Sequence, residues 1–83
     1  SKTPEANRLL LDLGLTCIDN NYTGKDTDRL LLYVSLSSLD KTGHSFGPQS
    51  KEVIDLLYHL ASQLHEFIDQ VYTRVPEEDV LFV

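Results

Sequence analysis

The residues best suited to chemistry lie in "SLSSLDKTGHSFGP", positions 35–48. Asp40 offers a hard oxygen donor, and His44, four residues on, offers a nitrogen donor. Zinc accepts both ligand types. Gly43 and Gly47 open backbone conformations that other residues avoid, so a loop here can turn both side chains to one point. Catalytic zinc sites take three protein ligands plus water or substrate. Asp40 and His44 supply two, which makes them one corner of a larger site. Asp-x-x-x-His also arises by chance, and a solvated loop pair is the competing reading until structural context agrees.

Other candidates carry less. Ser35, Ser37 and Ser38 have no visible partner base, so loop hydrogen bonding outranks a nucleophilic role. Lys41 and Thr42 could touch a substrate from the loop, but most loop residues carry no such role, and a solvated role outranks it. His59 and His65 are six residues apart, on different helix faces, and cannot chelate one ion as an i, i+4 pair does. They read as helix-surface residues. Cys17 falls on an apolar stripe and reads as a small core residue, not a reactive thiol. Tyr58, Phe67 and Tyr72 read as packing residues, not as a platform for stacking bases.

The elements that must position the pair follow from caps and periodicity. In "TPEANRLLLDLGLTCIDNN", Thr3 can cap a helix, Pro4 suits its first position and Glu5 faces the positive end of the dipole. Ala6, Leu9, Leu10, Leu13 and Cys17 are the expected apolar face, and Gly14 permits close packing. Leu30 to Val34 form a continuous apolar run that reads as a strand covered on both faces. After the glycine-rich loop, Ser50 can cap a long helix. Its expected stripe is Val53, Ile54, Leu57, Leu60, Ala61, Leu64, Phe67, Ile68, Val71 and Tyr72. That helix ends before Pro76. "PEEDV" is a solvated acidic turn, and Val80 to Val83 read as a buried strand.

The predicted fold is therefore α/β, in the order helix-strand-helix-strand, with a right-handed βαβ crossover and parallel strands. In open sheets of this kind, sites form beyond the carboxyl ends of the strands, where Asp40 and His44 fall.

The 83 residues make one small domain or part of a larger one. A chain this short buries only ~60% of its unfolded surface. Apolar content of 41% and charged content of 24% exclude intrinsic disorder as the default. A net charge of −6, with only 7 scattered Lys and Arg residues, excludes a binder of nucleic-acid duplexes. No apolar run reaches the ~18 residues of a membrane span, and no secretory leader is visible. The single Cys17 rules out an internal disulfide. With no Met anywhere and a last apolar run at the final residue, the chain is expected to be an internal piece, residues 1–83, of one longer catalytic domain.

Ser38, Asp40, Gly43, His44, Gly47 and Pro48, followed by a long helix, resemble a central motif of the alkaline phosphatase superfamily. The branch holds the type I phosphodiesterase/nucleotide pyrophosphatase enzymes and related bacterial alkaline phosphatases. "TPEANRLLLDLGL" is similar to the helix that precedes this motif, so the resemblance covers nearly the whole chain.

The resemblance implies a central sheet sandwiched by helices and a hydrolase of phosphate esters or nucleotides with two zinc ions. The expected chemistry is in-line attack on phosphorus through a covalent phosphoenzyme. Asp40 and His44 match the Asp and His that hold one zinc, on the leaving-group side. The nucleophile and the remaining ligands have no match here, so the 83-residue chain is expected to be inactive without the remainder of its domain. Ala61 stands where relatives often carry Asp. The resemblance also implies a periplasmic, secreted or extracellular-facing protein. A non-catalytic α/β interaction module and a pseudoenzyme segment are the alternatives.

Overall fold

Two helices follow from local signals, and a computed structural model describes them within residues 4–27, 29–36, 47 and 50–83. Helix α1 spans Pro4–Asn21, with Glu5 in its first turn. Thr3 lies outside the described residues. The helix closes on side-chain and backbone bonds to its last carbonyls. Asn21 Nδ2 donates to the Cys17 carbonyl at 2.8 Å, and the Tyr22 amide donates to the Ile18 carbonyl at 2.9 Å. Such bonds satisfy acceptors that a helix end otherwise leaves to water.

Helix α2 spans Lys51–Tyr72 and is capped by Ser50, as its sequence predicts. At its end the amides of Arg74 and Val75 both donate to the Val71 carbonyl at 2.9 Å. Pro76 then bars continuation. A 3-10 turn at Glu77–Asp79 carries the exposed acidic residues, and Val80 is extended at φ −115 and ψ 136.

The helices run in the same direction. Arg8 lies 3.6 Å from Glu66, a Cβ placed at Gly14 would meet the Phe67 ring at 3.5 Å, and Arg74 bonds Asp19. Rising numbers on α1 thus meet rising numbers on α2. Ile18, Val71 and Val75 form the core between them, with Leu15, Tyr22, Leu32, Phe67 and Val80 packed around it. The Cα radius of gyration is 14.8 Å, against ~12 Å for a compact domain of this length. The elongation leaves much apolar surface uncovered. No helix among the described residues is long and apolar enough to cross a membrane.

The α/β expectation is overturned. Among the described residues the fold is helical, with no strand and no sheet, so there is no βαβ unit and no pair of parallel strands. A strand exists through its ladder, and among the described residues neither apolar run has a second strand paired beside it. Residues 31–36 do alternate: Leu32, Val34 and Leu36 are half-buried, while Leu31, Tyr33 and Ser35 are exposed. That is the side-chain pattern of an extended chain lying on one surface, not of a strand covered on both faces. Leu81 and Val83 are exposed too, so the last run is not buried. Both runs border a cleft of ≈ 540 Å³ over the Ile18–Val71–Val75 core.

The buried faces also differ in register from the expected stripes. On α1 the buried line is Asn7, Leu11, Gly14 and Ile18, while Leu9 and Leu13 are exposed. On α2 it runs through Val53, Leu56, Leu60, Gln63 and Val71, leaving Ile54, Leu57, Ala61 and Tyr58 outside. Tyr58 is therefore no packing residue here. Phe67 packs against the core, and Tyr72 meets Phe82 edge-on at 5.8 Å.

Leu56 and Leu57 are neighbours in sequence but opposite in environment, at 5% and 51% exposure. In urea denaturation of this chain, Leu56→Ala is expected to cost about 2–5 kcal/mol through lost burial and a cavity. Leu57→Ala is expected to cost at most about 1 kcal/mol. Equal costs would contradict the assigned face.

Candidate functional site

The candidate pair, Asp40 and His44, lies outside the described residues, as do Ser37, Ser38, Lys41, Thr42, Gly43 and Pro48. The structure does describe what leads into that segment and what receives it. On the incoming side, Ser35 is exposed and Leu36 half-buried. On the outgoing side stand Gly47 and Ser50.

Gly47 has φ +92, in the left-handed region where a side chain is strained and glycine is not. Its carbonyl is the focus of two bonds from one residue. The Ser50 amide donates to it at 3.4 Å, and the Ser50 hydroxyl donates to it at 3.0 Å. The same hydroxyl accepts from the Val53 amide at 3.2 Å. The serine oxygen thus uses its donor on the loop and an acceptor site on the helix. Ser50 and Gly47 are each legible in sequence, as a cap and a turn glycine. The bond that joins them is not, because a cap motif records only the acceptor role.

Among the described residues no group of three or more His, Cys, Asp or Glu side chains could hold a metal ion. His59 and His65 are exposed, as read from their spacing. His65 Nε2 lies 3.5 Å from the Asp69 carboxylate one turn on. Cys17 is half-buried, and its sulfur accepts a long contact of 3.6 Å from Asn21. Ala61 is exposed on α2.

Sequence reasoning missed the clamp at the opposite end of the fold. Arg74 donates from Nε to Asp19 Oδ1 at 2.6 Å and from its terminal nitrogen to Asp19 Oδ2 at 3.4 Å. No local signal joins two residues so far apart in the chain. It missed the buried polar residues Asn7 and Gln63 as well, since apolar periodicity cannot flag a polar residue on the inner face.

Comparison with known proteins gives the class. The chain is 37% identical over 79 residues to alkaline phosphatase PafA of Elizabethkingia meningoseptica, a match covering 95% of this chain and 14% of that protein. It is 35% identical over 66 residues to alkaline phosphatase PhoV of Synechococcus elongatus, covering 80% of this chain and 12% of the relative. A protein of Myroides odoratus named as a calcium-transporting ATPase is 35% identical over 68 residues, again 80% of this chain and 12% of the relative. No family model matches, and no solved structure matches. The chain is related to the alkaline phosphatase superfamily along nearly its whole length. It spans only 12% to 14% of the length of these relatives.

A Cβ at Gly47 would meet no described atom within 4 Å, so the cost of a side chain there is conformational and not steric. Gly47→Ala is expected to lower stability by about 1–2 kcal/mol, read by urea denaturation. An unchanged midpoint would show that the turn relaxes freely.

Proposed function

We propose that the protein carrying this segment is a metal-dependent hydrolase of phosphate esters, and that Asp40 and His44 supply two ligands to one of two zinc ions. The observation that carries this reading is the match to an alkaline phosphatase over 79 of the 83 residues. A match of that extent cannot omit the Asp40–His44 segment. A match to a protein named for calcium transport, 35% over 68 residues, equals the PhoV match in identity and falls below the PafA match; the hydrolase reading rests on the two proteins named as phosphatases.

The donor chemistry fits the metal. An ionised carboxylate oxygen and a neutral imidazole nitrogen are both ordinary zinc ligands, and two of them fall short of the usual three. The remaining ligands and the nucleophile come from elsewhere in the domain, of which residues 1–83 are one part. Bound zinc supplies Lewis-acid stabilisation of charge on a phosphoryl or leaving-group oxygen. Asp40 and His44 hold and orient it on the leaving-group side, in a reaction that passes through a covalent phosphoenzyme. The substrate is a small phosphate monoester, a phosphodiester or a nucleotide pyrophosphate. The 83-residue chain alone is inactive. The compartment is periplasmic or extracellular, in keeping with the resemblance.

A second reading is a module that hides its apolar faces against another chain, favoured by the exposure of Leu31 and Leu81. One experiment separates the two. In the full-length protein, Asp40→Asn and His44→Ala are each expected to lower phosphate-ester turnover by more than about 100-fold, beyond the range typical of groups that only support a ligand. Bound zinc should fall in parallel, and chelation of the parent protein should abolish turnover. Unchanged turnover and zinc content in both variants would sink the hydrolase assignment for this pair.

A further inference from the structure

We propose that α2 is covered on two sides in the intact protein, and that its second apolar face is buried by another part of the same polypeptide. The inference rests on the reading of residues 1–83 as one part of a longer domain.

Spacing and exposure define the face. Ile54, Leu57, Tyr58, Ala61, Leu64 and Ile68 follow the i, i+3, i+4, i+7 pattern of one helix side. Ile54 is 56% exposed, Leu57 51% and Tyr58 81%. Ala61 is exposed, and Leu64 and Ile68 are half-buried. At ~100° per residue, this stripe is centred ~100° round the helix from the buried line through Val53, Leu56, Leu60 and Val71. Asp55, His59, Ser62, Glu66 and Asp69 take the remaining side and are exposed. The second stripe holds no Asp, Glu, Lys or Arg, and His65 lies at its Tyr58 edge. A helix that packs on one neighbour carries one apolar stripe and is polar elsewhere. The two stripes of α2 are the pattern of a helix held between two neighbours, of which α1 is one.

The other neighbour is a further part of the same chain, not a second copy. Tyr58 offers on the order of 200 Å², and Ile54 and Leu57 are already about half covered. Together they fall short of the ~800 Å² per partner that a stable complex buries. A contact within one polypeptide escapes that requirement, because it does not cost the translational and rotational freedom of a second molecule. Sequence to supply it is plentiful in proteins of this kind. The matches cover only 12% to 14% of each relative.

The test is thiol labelling of the purified full-length protein, with cysteine placed singly at Leu56, Leu57 and Ser62 and the labelled site read by peptide mass spectrometry. Ser62→Cys, on the polar side, is expected to label freely. Leu57→Cys is expected to label at least about 10-fold more slowly, as Leu56→Cys does, since a covered thiol reacts only when the structure opens. Its protection should persist on dilution from micromolar to nanomolar protein. Should Leu57→Cys fail to fold, hydroxyl-radical footprinting of Leu57 and Tyr58 in the parent protein gives the same readout without a substitution.

Labelling of Leu57→Cys as fast as Ser62→Cys would make the stripe a solvent face and overturn the proposal. Protection that disappears on dilution would assign the face to a second copy, and would overturn it equally. Zinc content and phosphate-ester turnover of the parent sample keep the two readings apart. An open Leu57 in a protein that holds zinc and turns over ester removes only the second cover. A protected Leu57 in a protein with neither removes only the hydrolase reading.

Discussion

The structure depends on two helices packed in the same direction. Tyr22, just past the end of α1, packs beside Val71 and Val75 at the end of α2. The chain must then travel back along α2, a distance of ~33 Å for 22 helical residues. A tight turn cannot do this. The connection has to be long, and much of it has to be extended. Residues 31–36 meet that need, with alternate side chains resting on the helices. In sequence, Asp40 and His44 come between residues 31–36 and the start of α2.

Sequence is legible where the physics is local. Pro4, Glu5 and Ser50 mark helix starts because capping and dipole effects act within one turn. Pro76 marks an end because its ring and missing amide act on its immediate neighbours. The choice of buried face is not local. The run Leu9-Leu10-Leu11 offers an apolar side chain to three directions, and only the position of α2 selects Leu11. The same holds for Ile54, Leu56 and Leu57. Periodicity shows that a helix has an inner face, but the partner decides which residues it contains.

The failure of the strand assignments has a different cause. Leu30 to Val34 and Val80 to Val83 are continuous apolar runs of strand length, yet strand identity depends on a neighbour at hydrogen-bonding distance. Composition reports how a chain fits a pleated surface. It cannot report whether one is present. The motif residues themselves are the most legible part of the candidate site. Their order survives in sequence, whereas a site that needs ligands from distant positions can be read only in part from any one stretch.

The two ends of α2 are held by different forces. At its end, Ile18, Val71 and Val75 supply burial, and the Arg74–Asp19 pair adds direction. That pair is partly exposed, so its net contribution is on the order of 1 kcal/mol or less. Burial contributes more there, but it is non-directional. Apolar packing can hold a helix in place while a loop beside it takes many orientations. Fixing an orientation needs bonds with a preferred angle and a short reach. At the start of α2 those bonds are the ones that join Gly47, Ser50 and Val53.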